Sequence, residues 1–205
     1  MTDDTGSTPL TPLTALAALA DAVRWWDQRV EAIPPDLWDA PTPCTSWPVR
    51  ELVDHVTTEQ LWAPLLLDGA TIEEVGDRFD GDVLGADPAR AAHDAAAGLL
   101  RALENDVSPD QTVYLSFGEA TAARYARQLS TDHLVHGWDL AVATGQNRTM
   151  PDALAATIEG FIAAEGDLRS TGLFAGPVAV GAEASVSERV VAATGRDPGW
   201  APPVG

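Results

Sequence analysis

Along most of this chain the apolar residues recur at steps of three and four, not two, and that period dictates helices. Leu13, Leu16, Leu19, Val23, Trp26 and Val30 share one stripe, which predicts a first helix from about Pro9 to Ala32. Ser46 can cap a second helix with Pro48 in its first turn. Val49, Leu52, Val53 and Val56 then point inward, and the helix runs to about Leu67 with a bend expected at Pro64. Asp87-Pro88 opens a third helix through RAAHDAAAGLLRALEN. A fourth extends from about Glu119 to Thr144, where Gly145 stops it, and Pro151-Asp152 starts a shorter one to about Glu165. The connections are long. IPPDLWDAPTPCTSWP is proline-rich, and its Trp38 and Trp47 are expected to pack onto the body. GATIEEVGDRFDGDVLGAD is acidic with room for one helical piece, and QTVYLSFG reads as extended and closed by Gly118. The tail offers one more helix at SERVVAAT. With no repeats and no convincing alternation, the expected fold is all-α: four long helices with crossover connections, a bundle. Residues 1–8 read as a disordered leader, 9–166 as the bundle and 167–205 as an extension packed on it.

Charge narrows the partners. A net charge of −19 opposes binding to nucleic acid or an anionic membrane, whose phosphates need Lys and Arg. Every basic residue is Arg; this, with the abundant alanine, fits a GC-rich genome and removes Schiff-base and P-loop lysine chemistry. One cysteine, Cys44, excludes an intramolecular disulfide and an all-cysteine metal cage. No apolar run approaches the roughly 20 residues of a membrane span. The N-terminal MTDDTGSTPL lacks the basic start and apolar stretch of a secretory signal, so a cytoplasmic protein is expected.

Two of the four histidines fall in DHLVHGWDLA, 132–141, inside the fourth helix. At about 100° per residue, Tyr125, Gln128, Asp132, His136, Asp139 and Ala143 line one strip, with His133 a quarter turn away. Asp132 and His136, at i and i+4, are close enough to share one metal ion, and Asp139 can hold the imidazole's other nitrogen. A buried histidine–aspartate hydrogen-bond network without metal is the alternative. In ELVDHVTTEQLW, His55 stands at the edge of the second helix's apolar stripe, with Glu59 and Trp62 along the same side. From there it can complete a His-Asp-His set with an open position, the arrangement of catalytic metal sites, or remain a helical histidine without a ligand role.

TPCTSWPVRELVDHV together with DHLVHGWDLAVATGQ resembles the actinobacterial DinB-like metal-binding proteins related to mycothiol-dependent maleylpyruvate isomerase, and LFAGPV and TGRDPGW extend the likeness toward the C-terminus. That resemblance implies a DinB-like four-helix bundle. It also implies metal ligation by His55, Asp132 and His136, with Asp132 standing where the isomerase has glutamate. The isomerase carries a further C-terminal α/β domain, for which the residues after the fifth helix are expected to be too few.

The sequence is compatible with two functions. In the first, a divalent ion binds and activates a small-molecule thiol, by resemblance mycothiol, for transfer to or isomerisation of a small electrophile. Zn²⁺ is the expected ion, with Ni²⁺, Fe²⁺ and Mn²⁺ compatible with the same nitrogen and oxygen donors. The open position could equally hold a water for hydrolysis. In the second, the metal only ties helices together, or the bundle forms a homodimer, as the resemblance also allows. Other residues are read more plainly. Glu59 is a candidate extra ligand or general base, or a solvated carboxylate. Arg124 and Arg127 are candidates to grip an anionic substrate, with surface pairing as the default. Tyr125 can line a pocket, Cys44 is expected to be buried as a small hydrophobe, and His93 to lie on the surface.

Overall fold

The computed structural model describes residues 14–45, 47–166 and 175–203. The expected leader, Pro9–Leu13 of the first helix and the expected cap Ser46 lie outside the described residues. Helix α1 spans Ala15–Glu31, started by the Thr14 side chain, which accepts a hydrogen bond from the Ala17 backbone N–H at 3.3 Å. Helix α2, Val49–Leu67, follows Pro48, whose extended backbone occupies the cap position with no side-chain bond. Pro64 lies inside α2, where it removes a backbone donor near the C-terminal end. A single turn, α3 (Ile72–Val75), sits in the acidic connection, held by a capping box between Thr71 and Glu74. Helix α4, Pro88–Glu104, begins at the Asp87 cap with proline in its first turn.

Residues Glu119–Thr121 are not helical: β1 (Thr112–Leu115) pairs antiparallel with β2 (Gly118–Thr121). Gly118, at φ +120, supplies the conformation that reverses the chain there. Helix α5 then runs Ala122–Ala143, capped by Thr121 and followed by Gly145 at φ +71. Helices α6, Asp152–Glu165, and α7, Val186–Ala193, complete the order.

The four long helices close a ring in which α1 lies beside α4 and α5, and α2 beside the same two. Thus α1 faces α2, and α4 faces α5, across the ring. Helices α6 and α7 pack on each other and on α5. Val190 and Val191 of α7 and Ile158 of α6 share one cluster with Leu134, Val135 and Trp138 of α5. Burying α5 from the ring and from α6–α7 explains why it is apolar nearly all round. Trp38 and Trp47 of the proline-rich connection pack against Trp26, Leu52 and Leu140, as their size and polar edges led one to expect. Gly137 permits a close contact between α5 and α1, because a Cβ there would stand 2.1 Å from Cζ3 of Trp25 on α1. Among the described residues, no helix is long and apolar enough to cross a membrane.

Candidate metal centre

His55 from α2 and Asp132 and His136 from α5 meet where these helices run side by side. One ligand-capable atom from each lies within 4.8 Å of the others. His55 Nε2 is 3.8 Å from Asp132 Oδ2, and His136 Nε2 is 3.3 Å from Asp132 Oδ1. Ligand atoms about 2.1 Å from a tetrahedral ion stand about 3.4 Å apart, so these separations suit a shared cation. The donor set leaves something unfinished without one. Asp132 Oδ2 is buried and has no hydrogen-bond partner, a costly state for a carboxylate oxygen.

The electrostatics fit the geometry. Burial alone would push the Asp132 carboxyl up, but the His136 and His55 imidazoles beside it hold it well below 3.8. Burial opposes the charged form of His136, yet Asp132, and then Asp139, raise it to about 9. Glu59 is raised above 4.5, first by burial and then by the negative charge of Asp132. The Tyr125 hydroxyl is also pushed up, by burial and then by Glu59 and Asp132.

His136 is held from behind. Its Nδ1 lies 3.0 Å from Asp139 Oδ2, so Nδ1–H donates there and Nε2 is directed at Asp132. Asp139 is fully buried and accepts from Arg196 Nη2 at 3.0 Å, while Arg196 Nη1 donates to the Thr194 carbonyl at 2.9 Å. On the open side, the Trp47 indole stacks on His55 at 4.5 Å between centroids and 27° between planes. His55 and His136 meet edge to face at 5.3 Å. The cluster forms part of the wall of a cavity of about 440 Å³, which Glu59, Gln128, Cys44, Trp47 and Arg196 also line.

The residues singled out in the sequence divide clearly. His55, Asp132 and His136 converge, and Asp139 backs His136. Glu59 and Gln128 face the same cavity. Arg127 does not: it is exposed and lies over the Phe161 ring at 5.3 Å, as Arg124 lies over Phe117 at 6.0 Å. Arg127 is about 140° around the helix from Asp132, which explains its absence from the cavity. Tyr125 is buried but outside the cavity wall. His133 turns inward and donates from Nδ1 to the Leu129 carbonyl at 2.8 Å; burial lowers its pKa to about 4 and keeps it neutral. His93 is on the surface, paired with Asp27 at 3.1 Å. Cys44 is half-buried, packed against the core cluster around Trp26 and Leu52 on one side and lining the cavity on the other. Neither Arg196 nor the stacking of Trp47 on His55 follows from helix periodicity; for Arg196 the sequence signal is the TGRDPGW motif.

Fold and site together define a helical bundle with a two-histidine, one-carboxylate cluster open to a cavity. The chain belongs to the family of the mycothiol maleylpyruvate isomerase N-terminal domain, whose model matches residues 19–141. It is 36% identical over 127 residues to the uncharacterized proteins MT0763 and Rv0738 of Mycobacterium tuberculosis. The match covers 58% of this chain and 62% of each relative's length. The crystal structure of a histidine-to-alanine mutant of mycothiol-dependent maleylpyruvate isomerase superposes with a TM-score of 0.57 at 16% identity. That superposition covers 80% of this chain and 72% of the other, and it bears out the all-α DinB-like bundle.

Proposed function

We propose that His55, Asp132 and His136 hold a divalent metal ion, Zn²⁺ in the first instance. On this reading the protein is a mycothiol-dependent transferase or isomerase acting on a small electrophile. The single observation that carries the metal is the buried Asp132 Oδ2, without a hydrogen-bond partner although its carboxylate stands between two imidazoles at a cavity wall. Zn²⁺ suits two imidazoles and one carboxylate with an open side, and Ni²⁺, Fe²⁺ and Mn²⁺ use the same donors. The family membership supports mycothiol as the thiol.

A divalent ion in this place lowers the pKa of a coordinated thiol so that it is ionised at neutral pH. The chain's own groups would do the rest. Glu59, raised above 4.5 by burial and then by Asp132, faces the same cavity and would accept the proton the thiol loses. Asp139, bonded to Nδ1, would keep the His136 ring from rotating, and Trp47 stacks on the His55 ring. Arg127, out over Phe161, takes no part in this scheme. Hydrolysis is the second reading, favoured by Glu59 alone, since a carboxylate with a raised pKa also serves as base toward water.

The test is a Co²⁺-substituted protein titrated with mycothiol. A new sulfur-to-cobalt charge-transfer band supports the thiol reading. An unchanged spectrum at saturating thiol, with the ion retained, sinks it and leaves hydrolysis or a structural metal.

A further inference from the structure

The family-matched stretch ends at residue 141, yet the cavity beside the metal cluster is also walled by Ala175, Thr194, Gly195 and Arg196. Ala175 precedes α7, and Thr194, Gly195 and Arg196 follow it directly, 55 to 57 positions beyond Asp139 in sequence. Arg196 is the one that reaches the centre. Its guanidinium approaches the Asp139 carboxylate through two nitrogens, Nη2 at 3.0 Å and Nε at 3.4 Å. Its third nitrogen is fixed on the Thr194 carbonyl. Asp139 in turn spends the same Oδ2 on His136 Nδ1. The Arg196 side chain is 11% exposed and Asp139 not at all, so this is a dry, aligned chain and not a surface ion pair.

We propose that Arg196 is a positioning residue for the metal centre. By locking Asp139 it fixes the ring and tautomer of His136, so the segment after α7 is a built part of a site whose ligands all lie within the family-matched stretch. This rests on the metal reading above. The physical reason is the geometry of a fork. A lone carboxylate lets the imidazole it accepts from pivot about one hydrogen bond. A carboxylate clamped by guanidinium cannot swing, and the His136 Nε2 lone pair stays on the line toward Asp132 and His55. Orienting partners of metal-bound histidines typically matter by about 10–100-fold in metal affinity. Arg196, one bond further out, is expected near the lower end.

The experiment measures Zn²⁺ and Co²⁺ affinity by chelator competition, and the cobalt d–d spectrum, in the full chain. The proteins compared are wild type, Arg196→Gln, Arg196→Lys, Asp139→Asn and the Arg196→Gln/Asp139→Asn double variant. Arg196→Gln is expected to lose about tenfold in affinity, with an altered cobalt envelope. Arg196→Lys, which keeps the charge without the fork, is expected to fall between it and wild type. The loss from Arg196→Gln is expected to vanish once Asp139 is already Asn, because the effect passes through that carboxylate. Wild-type affinity and spectrum in Arg196→Gln overturn the proposal. So does full additivity with Asp139→Asn. If Arg196→Gln does not fold, a lysine variant indistinguishable from wild type overturns it equally. A wild-type protein that binds neither ion fails earlier and takes down the metal reading itself.

Discussion

Gly137 offers the sharpest stability test, because it lies between His136 and Trp138 and against Trp25. In Gly137→Ala the added carbon would stand 2.1 Å from Cζ3 and 2.5 Å from Cε3 of Trp25. Ordinary carbon contacts lie at about 3.5–4.0 Å, so α1 and α5 must part by roughly 1.5 Å or the indole must swing aside. The indole has little room: it is 6% exposed, and Arg29 lies over its ring at 5.3 Å. Overpacking of this kind costs about 1–3 kcal/mol, and the severity of the overlap puts this case at the upper end. Alanine returns about 1 kcal/mol of helix propensity, leaving a net loss of about 2 kcal/mol. For a chain of this size that is a fall of about 4–8 °C in Tm. Calorimetry of metal-free wild type and variant reads it directly. A second variant, Gly137→Ala with Trp25→Leu, should be less unstable than the two single losses added together. A Gly137→Ala protein as stable as wild type would refute the tight α1–α5 contact and, with it, the rigid seat assigned to His136.

Other consequences of the site can be measured. His136, with a folded value of about 9 against an ordinary 6.5, contributes stability that is complete below about pH 6.5 and disappears as pH rises through 9. The partner half of the same pair, Asp132, is held below 3.8, so its contribution is present above that value and lost on further acidification. Metal-free protein should therefore melt at lower temperature at pH 9 than at pH 6.5, and a flat profile would contradict the pairing. Metal uptake at pH 7 should release about one proton, because the His136 imidazolium must deprotonate to ligate. Uptake without proton release in weak buffer would contradict it. Trp47 stacks on His55, so paramagnetic Co²⁺ should quench its fluorescence, and Trp47→Phe should abolish much of the quenching. Equal quenching in both proteins would show that the ion binds elsewhere.

The parts legible in the sequence are those that one helix, or one helix face, determines. The i, i+4 spacing brought Asp132 and His136 together, i, i+3 gave Asp139 its place behind His136, and the apolar stripe of α2 located His55 at an inward edge. The resemblance supplied the pairing of α2 with α5, which periodicity alone does not fix. Strand β1 was legible as the extended QTVYLSFG, but its partner β2 stayed hidden because four residues running straight into α5 are too few for alternation to stand out from the adjoining helix. Arg196 was illegible for a different reason. It sits in a Gly- and Pro-rich segment 57 positions from Asp139, and only tertiary packing of α7 brings it home. Arg127, a candidate to grip an anionic substrate, is sent outward to Phe161 by its helical phase.

The central claim is that His55, Asp132 and His136 bind one divalent cation. Elemental analysis of protein purified without a metal-binding tag, beside His136→Ala prepared identically, tests it most directly. Wild type is expected to carry about one equivalent of divalent metal, and the variant almost none. Equal metal content in the two proteins, or none in wild type even after loading with Zn²⁺, would contradict it.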